Sequence, residues 1–216
     1  TAGGSLIFND RVDAGQQLAE CLQALGLPPQ LVVLGLARGG VPVAAAVART
    51  LDAALDVLVI RKIGMPANPE FAIGALGAHG VVLDEQLIAR AGIARRDVDQ
   101  VVASEATELT RREDVYRRGR KPALDLVDEV VVVVDDGLAT GSTMAAALQE
   151  VRAAQPSRLI AAVPVASVQG IARIEPFADQ VVAVQVEADF GAVGCWYRDF
   201  GQTSDDEVIA CLTRGY

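Results

Sequence analysis

A run of five valines, Val130–Val134, constrains the fold of this chain more than any other segment. The run has the length of a strand, and it lacks the alternation of polar and apolar residues that marks a strand with one face in water. Strands without that alternation are typical of parallel sheets that helices cover on both faces. The composition agrees, because 51% of the residues are hydrophobic and only 4% are aromatic, so Val, Ala, Leu and Ile must build the core.

Strand-like and helix-like segments alternate around this run, which predicts an α/β fold with an open, mostly parallel sheet flanked by helices. The predicted strands span residues 31–36, 55–60, 129–134, 159–165 and 181–186. The predicted helices span residues 10–25, 41–51, 97–118, 141–154 and 168–174. A last helix is expected from about Ser204, where Glu207 completes a capping box.

The middle of the chain departs from this alternation. Residues 71–76 and 81–83 flank a Gly-containing turn, which predicts an inserted hairpin. Neither repeats nor Ser-rich linkers divide the sequence, so we expect a single domain over residues 1–216. Within it we expect a helical insertion at residues 85–122 and a C-terminal hood and helix at residues 187–216.

The charge balance limits the partners of the chain. Lys and Arg number 19 against 28 Asp and Glu, a net charge of −9, which argues against a general nucleic-acid binder. The longest strongly apolar run has only the length of a strand, so we expect no membrane span. Cys21, Cys195 and Cys211 are odd in number and lack metal-ligand spacing, which predicts reduced thiols in a cytoplasmic protein. Because the sequence begins with Thr1 and shows no signal-peptide pattern, we expect a trimmed chain or part of a longer one.

Two adjacent acids, Asp135 and Asp136, follow the valine run, and a short turn then opens the next helix at residues 140–143. In an open α/β sheet, ligands bind beyond the carboxyl ends of the strands. Free N–H groups at a helix N-terminus favour a phosphate, while adjacent carboxylates suit hydroxyl groups or a cation. The segment therefore predicts a site for a phosphorylated sugar. In the alternative interpretation, the two acids and Thr140 only cap the turn and the helix.

This segment, VVVVDDGLATGSTM, resembles the phosphoribosyl-diphosphate-binding motif of the type I phosphoribosyltransferases, and the resemblance extends over most of the chain. It implies that Asp135 and Asp136 hold the ribose 2- and 3-hydroxyls. It also implies that the 5-phosphate is wrapped by Ala139, Thr140, Gly141, Ser142 and Thr143. Family members that act on 6-oxopurines carry a third Asp at the position of Ala139. Hypoxanthine and guanine are therefore disfavoured as acceptors, and a general acid or base must come from elsewhere.

A second loop follows the first apolar strand and consists of Ala37, Arg38, Gly39 and Gly40. Its glycines let the backbone approach a ligand, and an arginine binds phosphate through two hydrogen bonds. The loop resembles the diphosphate loop of the family, which often carries a non-proline cis peptide bond. Arg61 and Lys62, interpreted as the end of the second strand, would face the same crevice and suit the leaving diphosphate. Alternatively, they form a solvated basic pair that caps the strand.

Glu70, Trp196 and Tyr197 are the candidates for contact with the acceptor base. In related transferases the base lies near a loop like the one that holds Trp196 and Tyr197, and an aromatic ring can stack on a planar base. In the alternative interpretation, the two rings pack against the C-terminal helix.

A basic cluster precedes the valine run and consists of Arg111, Arg112, Arg117, Arg118, Arg120 and Lys121. It is either a solvated helix face, paired with Glu108, Glu113 and Asp114, or a funnel for a polyanionic substrate.

The resemblance implies a Mg²⁺-dependent phosphoribosyltransferase that moves ribose 5-phosphate from phosphoribosyl diphosphate to a nitrogenous base and releases diphosphate. The expected catalytic residues are Asp135, Asp136, Arg38 and Lys62. No cage of protein ligands is visible in the sequence, so substrate oxygens and water would carry most of the Mg²⁺ coordination, in contact with Asp135 and Asp136. A homodimer is expected by analogy, supported by the apolar residues of segment 63–83.

Two other functions stay open at this point. One is a non-catalytic module that binds phosphoribosyl diphosphate or a nucleotide and regulates a partner. The other is a hydrolase of sugar phosphates or nucleotides, for which no water-activating base is evident in the sequence.

Overall fold

A computed structural model describes residues 7–78, 80–117 and 123–213, with the side chain of Glu70 left out. Within these residues the helices are α1 (Arg11–Gln23), α2 (Gly40–Leu51), α3 (Glu85–Arg90), α4 (Arg95–Arg117), α5 (Ser142–Ala153), α6 (Val168–Ile174) and α7 (Asp205–Thr213). The strands are β1 (Val32–Leu36), β2 (Ala54–Leu58), β3 (Arg61–Met65), β4 (Asn68–Gly77), β5 (Gly80–Leu83), β6 (Val130–Val134), β7 (Arg158–Ser167) and β8 (Gln180–Glu187).

Five strands form one parallel sheet in the order β2-β1-β6-β7-β8, with the valine strand β6 at its centre. Val32 of β1 lies opposite Val131, and Leu159 of β7 lies opposite the same residue on the other side. Every neighbouring pair is parallel, so the strands end at one common edge. The expected open parallel sheet flanked by helices is confirmed.

The valines of β6 fill the core on both faces of this sheet. Val132 and Val134 pack with Leu18 of α1 and Val47 of α2, whereas Val131 and Val133 pack with the side chains of α5. All four of these valines are fully buried, and each contributes about 1.5–3 kcal/mol of hydrophobic burial. Alternate side chains of a strand point to opposite faces, so an all-valine strand is what two apolar layers require.

A second sheet is antiparallel and has the order β3-β4-β5. Its β4 and β5 arms meet at Gly77 and Gly80, which confirms the inserted hairpin. The expectation that Arg61 and Lys62 end the second strand is wrong. β2 ends at Leu58, and Arg61 and Lys62 begin β3, where they pair with Leu76 and Ala75 of β4. The apolar run of the sequence continues past the end of β2 because its last residues lead into this second sheet. Periodicity alone does not show where the chain leaves one sheet for the other.

Along the chain, helices α3 and α4 follow the second sheet and precede β6. Helix α3 was not predicted as a separate helix. A buried ion pair joins the end of α4 to the main sheet. Arg117 donates from one nitrogen to both carboxylate oxygens of Asp56 in β2, at 2.9 and 3.0 Å. Asp56 also accepts hydrogen bonds from the N–H groups of Val57 and Leu124, at 2.8 and 3.2 Å. One carboxylate therefore ties together the helical insertion, β2 and the segment that leads to β6.

At the C-terminus the predicted capping box is present. Ser204 Oγ accepts a hydrogen bond from the N–H of Glu207 at 3.2 Å, and Glu207 accepts from the N–H of Ser204 at 2.7 Å. The hydrogen bonds from Ser204 lower the pKa of Glu207. Among the described helices, none has both the length and the apolar character needed to cross a membrane.

We predict that Arg117→Met lowers the free energy of unfolding by about 3 kcal/mol, because it leaves the buried carboxylate of Asp56 without its cation. The double variant Asp56→Asn/Arg117→Met should regain much of this loss, since it removes the stranded charge. Urea unfolding followed by circular dichroism measures both values.

Arg96→Met is the matched control on the same helix. The Arg96 side chain is 85% exposed, so its loss should cost less than about 0.5 kcal/mol. Equal losses for the two single variants would contradict the prediction.

Candidate functional site

Two loops meet at the carboxyl edge of the parallel sheet, one after β1 and one after β6. A Cβ added at Gly40 would lie 2.6 Å from the carbonyl oxygen of Val134 and 2.9 Å from the Cα of Asp135. A Cβ added at Gly39 would collide with the carboxylate oxygen Oδ2 of Asp136. The two glycines are therefore needed for the β1 loop to pack directly against the two acids. The peptide bond between Ala37 and Arg38 is cis, as in the loop that the sequence resembles.

Asp135 and Asp136 lie side by side in a largely dehydrated environment. Burial raises the pKa of Asp135 well above its ordinary value, and the neighbouring charge of Asp136 raises it further. Asp135 Oδ1 accepts the N–H of Asp136 at 2.9 Å, which favours the ionised form and partly opposes the shift. The pair has the polar oxygens and the accessible edge that sugar hydroxyls require.

Arg11, the first residue of α1, contacts this pair, although no sequence pattern marked it. Its Nε and one terminal nitrogen each lie 2.9 Å from Asp136 Oδ2. Burial raises the pKa of Asp136, and Arg11 opposes that shift by its positive charge and its hydrogen bond. Arg11 is separated from Asp136 by 125 positions in the chain, so only the tertiary fold brings them together.

The turn before α5 has the features of a phosphate site. Gly141 takes a φ of +74°, and a Cβ there would lie 2.9 Å from the carbonyl oxygen of Gly170. Gly141 has no side chain to cap the helix, and the first N–H of α5, that of Ser142, makes only a long contact of 3.5 Å with Thr140 Oγ1, for which a phosphate could compete. The hydroxyls of Thr140 and Ser142 lie 3.2 Å apart at the same place.

Arg173 of α6 adds a cation to this turn and was also missed by sequence reasoning. It donates to Ser142 Oγ at 2.5 Å and to the carbonyl oxygen of Thr140 at 3.2 Å. The turn thus combines a helix N-terminus, hydroxyl groups and a guanidinium group, which together favour a phosphate. An isolated Arg within an ordinary amphipathic segment carries no signal in the sequence that would have identified it.

A cavity of about 560 Å³ opens beside the phosphate turn, between the ends of β7 and β8. Ser167 at the end of β7 shapes its wall by donating to the carbonyl oxygen of Ala139 at 2.5 Å and accepting from the N–H of Gly170 at 2.8 Å. Its lining residues are Ala139, Thr140, Ser167, Gln169, Arg173, Ala188, Phe190 and Gly191. Most of this lining is uncharged.

The predicted diphosphate-binding cations are not all in one place. Arg38 lines a pocket of about 380 Å³ together with Arg11, Gly39 and Asp136, at the site of the acids. Lys62 lines a different cleft of about 670 Å³, together with Ser142 and Arg173. Arg61 is paired with Glu105 of α4 at 2.6 Å. The structure therefore joins Arg38 to the acids, whereas β3 carries Arg61 and Lys62 toward other elements.

Trp196 and Tyr197 are packed into the core with Phe8, Ala14, Val165 and Phe190, so they neither face a base nor pack against the C-terminal helix as the alternative interpretation expected. They are only 9% and 6% exposed, and Tyr197 lies 5.5 Å from the ring of Phe8. Trp196 donates from Nε1 to the carbonyl oxygen of Phe190 at 2.9 Å. Tyr197 donates its hydroxyl to the carbonyl oxygen of Asp136 at 2.5 Å, and burial raises its pKa, so the hydroxyl stays protonated. Little of either ring is left to stack on a base, and Tyr197 instead supports the backbone of the acid pair. The side chain of Glu70 lies outside the described residues.

The described part of the basic cluster is paired within the protein. Glu108 accepts hydrogen bonds from Arg111 and Arg112, which lower the pKa of Glu108 to about 2. Arg117 is held by Asp56. These contacts match the paired helix face rather than the funnel. Arg118, Arg120 and Lys121 lie outside the described residues.

No group of three or more His, Cys, Asp or Glu side chains able to hold a metal ion occurs in the described parts of the chain. At the site, Asp135 and Asp136 are the adjacent carboxylates, and Arg11 already binds one oxygen of Asp136. This donor set fits a cation that is bound mainly by the oxygens of a substrate.

Comparison with known proteins agrees with this geometry. A family model described as phosphoribosyl transferase domain matches residues 16–197. The chain belongs to the phosphoribosyltransferase family. Proteins of two Mycobacterium tuberculosis strains, CDC 1551 and H37Rv, are named provisionally as phosphoribosyl transferases and are 46% identical to it over 211 residues. The match covers 97% of this phosphoribosyltransferase chain but 47% of each relative, so the chain spans about half the length of these relatives.

Two solved structures illustrate that this phosphoribosyltransferase chain shares its fold with known proteins. The crystal structure of TT1426 from Thermus thermophilus is 44% identical and superposes with a TM-score of 0.88, covering 97% of this chain and 99% of that one. A Neisseria gonorrhoeae protein crystallised with bound ppGpp is 13% identical, with a TM-score of 0.55 and coverage of 98% and 97%. At that level of identity the second likeness concerns the fold alone.

We predict that Asp135→Asn raises the thermal midpoint of the ligand-free protein at neutral pH. An acid whose pKa is raised by folding destabilises the folded state once the pH passes the unfolded value of about 3.9. The effect is complete above the raised pKa and absent below about pH 4, where the acid is protonated in both states. The advantage of the Asn variant should therefore disappear on acidification, as measured by calorimetry across that range.

Asp114→Asn is the matched control, because Asp114 is exposed on α4. It should change the midpoint little at either pH. A lower midpoint for Asp135→Asn at neutral pH would show that the buried carboxylate stabilises the free protein and would contradict the prediction.

Proposed function

We propose that this chain transfers ribose 5-phosphate from phosphoribosyl diphosphate to a nitrogenous base and releases diphosphate. One observation carries the proposal: the acid pair after β6 lies between the glycine loop after β1 and the phosphate turn of α5. A molecule with a phosphate, two hydroxyl groups and a diphosphate in sequence matches those three groups in the same order. The family assignment supports this function, as do the relatives that are named provisionally as phosphoribosyl transferases.

In the proposed complex, the 5-phosphate binds the turn formed by residues 139–143, where Arg173 adds a positive charge to the N–H and hydroxyl donors. The ribose hydroxyls bind Asp135 and Asp136. The diphosphate binds the loop of residues 37–40, where Arg38 lines the same pocket as Asp136 and lies 3.9 Å from Asp205. Arg61 and Lys62 remain predicted contributors, although in this structure they contact Glu105 and the neighbouring cleft.

During the reaction, the bond between ribose C1 and the diphosphate oxygen breaks and a bond from C1 to the base nitrogen forms. The protein contributes by holding the sugar and base in line and by stabilising the charge that develops on both sides of C1. Asp135 and Asp136 lie on the ribose side, and Arg38 lies on the diphosphate side. Mg²⁺ would neutralise charge on the leaving diphosphate, held by substrate oxygens and by water in contact with the acids.

The cavity of about 560 Å³ is the proposed acceptor site. It adjoins Thr140 of the phosphate turn, and its volume suits a single heterocycle. Gln169, which is exposed, replaces Trp196 and Tyr197 as the candidate contact to the base, whereas Phe190 in the same lining is itself buried. With Ala139 in place of an acid, the lining offers hydrogen bonds from Gln169 and a charge from Arg173, which suits an acceptor whose attacking nitrogen needs no carboxylate base.

We expect Asp136→Asn to lower kcat/KM for diphosphate release by about 100-fold or more, because it weakens charge stabilisation at the ribose.

Thr140→Ala should raise KM for phosphoribosyl diphosphate by about 10-fold with less effect on kcat, because it removes a phosphate donor. Thr107→Ala on α4 is the matched control for Thr140→Ala and should behave as the unchanged protein. Diphosphate release that is unaffected by both site variants would overturn the proposed function.

A panel of purines, pyrimidines and related heterocycles, assayed for diphosphate release, identifies the acceptor. For the best acceptor, Gln169→Ala should raise the acceptor KM about 5-fold and leave the KM for phosphoribosyl diphosphate unchanged. Gln149→Ala, which alters the other cleft, is the matched control. An acceptor KM that responds to Gln149 and not to Gln169 would place the base in the cleft of Lys62 instead.

A non-catalytic sensor is the second candidate, favoured by the presence of Ala139 where an acid acts on the base in 6-oxopurine enzymes. Such a sensor would bind phosphoribosyl diphosphate tightly and release no diphosphate with any member of the panel. Dimer formation through segment 63–83 and a cytoplasmic location remain predictions for either candidate.

A further inference from the structure

The side chain of Arg11 contacts both the acid pair and the segment before α7, and the site described above gives no reason for so many contacts. Its Nε and a terminal nitrogen both contact Asp136 Oδ2 at 2.9 Å. Its other terminal nitrogen donates to the carbonyl oxygen of Gly201 at 2.8 Å. The flat guanidinium group lies 4.0 Å from the ring centre of Phe200. The planar group is thus held at its edges and on one face, so its position is well defined.

The two oxygens of Asp136 are in different situations. Arg11 donates from Nε to Oδ2 and places a terminal nitrogen 2.9 Å from the same oxygen, while no side chain among the described residues donates to Oδ1. The Asp136 side chain is 14% exposed and lines the pocket of about 380 Å³ that also contains Arg38 and Gly39. One oxygen is therefore anchored and the other is available for a ligand.

Three parts of the chain meet at Arg11. The arginine comes from the start of α1, Asp136 follows β6, and Gly201 with Phe200 belongs to the segment before α7. The Arg11 side chain is 13% exposed, so its contacts with Asp136 are shielded from most solvent. A charged hydrogen bond of this kind holds a carboxylate in one rotamer more firmly than a surface ion pair does.

We infer that Arg11 is a positioning residue for the ribose: it fixes Oδ2 of Asp136 so that Oδ1 receives a sugar hydroxyl. The inference rests on the proposed function, since it concerns the sugar of phosphoribosyl diphosphate. Arg11 also supplies the positive charge that lets the two adjacent carboxylates stay close together without a bound ligand. It acts through Asp136 and does not itself touch the ribose.

The main rival role for Arg11 is direct contact with the diphosphate, because Arg11 and Arg38 line the same pocket. Three ligands separate the two roles. Inorganic phosphate tests anion binding without a sugar, ribose 5-phosphate adds the sugar, and phosphoribosyl diphosphate adds the diphosphate. Isothermal titration calorimetry of the full chain with each ligand, for the unchanged protein and for Arg11→Met, provides the test.

We expect Arg11→Met to weaken ribose 5-phosphate binding about 10-fold and to leave inorganic phosphate binding unchanged. Phosphoribosyl diphosphate should lose the same factor as ribose 5-phosphate. In an Asp136→Asn background, Arg11→Met should have little further effect, because its target is already lost. Arg198→Met is the matched control: Arg198 lies in the same C-terminal segment but donates to Asn9 Oδ1, and its loss should leave all three affinities unchanged.

Arg11→Lys guards against a purely structural effect. Lysine keeps the charge but lacks the planar group that also contacts Gly201 and Phe200, so ribose 5-phosphate affinity should lie between those of the Met variant and the unchanged protein. Unchanged ribose 5-phosphate affinity in Arg11→Met, or a loss confined to phosphoribosyl diphosphate, overturns the inference while leaving the proposed function intact. Failure of the unchanged protein to bind either sugar phosphate removes the proposed function and the inference together.

Discussion

The central position of β6 is the constraint on which the site depends. Its valines fill the apolar layers on both faces of the parallel sheet. A shift by one residue would exchange valine for valine but would draw Glu129 or Asp135 into the sheet, so the polar residues at the two ends of the run fix the register. This fixed register delivers Asp135 and Asp136 to the carboxyl edge of the sheet. It also brings the loop after β1 alongside, because β1 is the parallel neighbour of β6. Chemistry at this edge is therefore a consequence of packing in the middle of the sheet.

Packing at this edge buries two adjacent carboxylates, which is electrostatically unfavourable. Burial and mutual repulsion favour the neutral form of Asp135, whereas binding of sugar hydroxyls favours oxygens that are free to accept. Arg11 and the Asp136 N–H offset part of this cost, while the Tyr197 hydroxyl holds the backbone carbonyl of Asp136. A ligand with hydroxyl groups would satisfy the remaining oxygens. Stability and ligand binding thus make opposite demands on the same two residues.

The two loops at this edge require glycine for different reasons. Gly39 and Gly40 allow one backbone to lie directly against the acids, where any side chain would displace them. Gly141 takes a positive φ that turns the chain into α5 and itself provides no side-chain cap for that helix, whose first N–H makes only a long contact with Thr140 Oγ1. Both uses bring backbone close to the acid pair or to the turn before α5, so the proposed site for a negatively charged substrate does not depend on the net charge of −9 of the chain.

Local patterns in the sequence determined most of the fold and the centre of the site. Apolar runs, helical periodicity and capping residues act over short distances, so the strands, most helices and the acid pair with its phosphate turn were predicted. Contacts between distant segments were decided only by the tertiary structure. The separate strand β3 and the burial of Trp196 and Tyr197 belong to this group, as do the approach of Arg11 to Asp136 and of Arg173 to Ser142. The physical reason is that a side chain's partner depends on how whole elements pack, which no local spacing records.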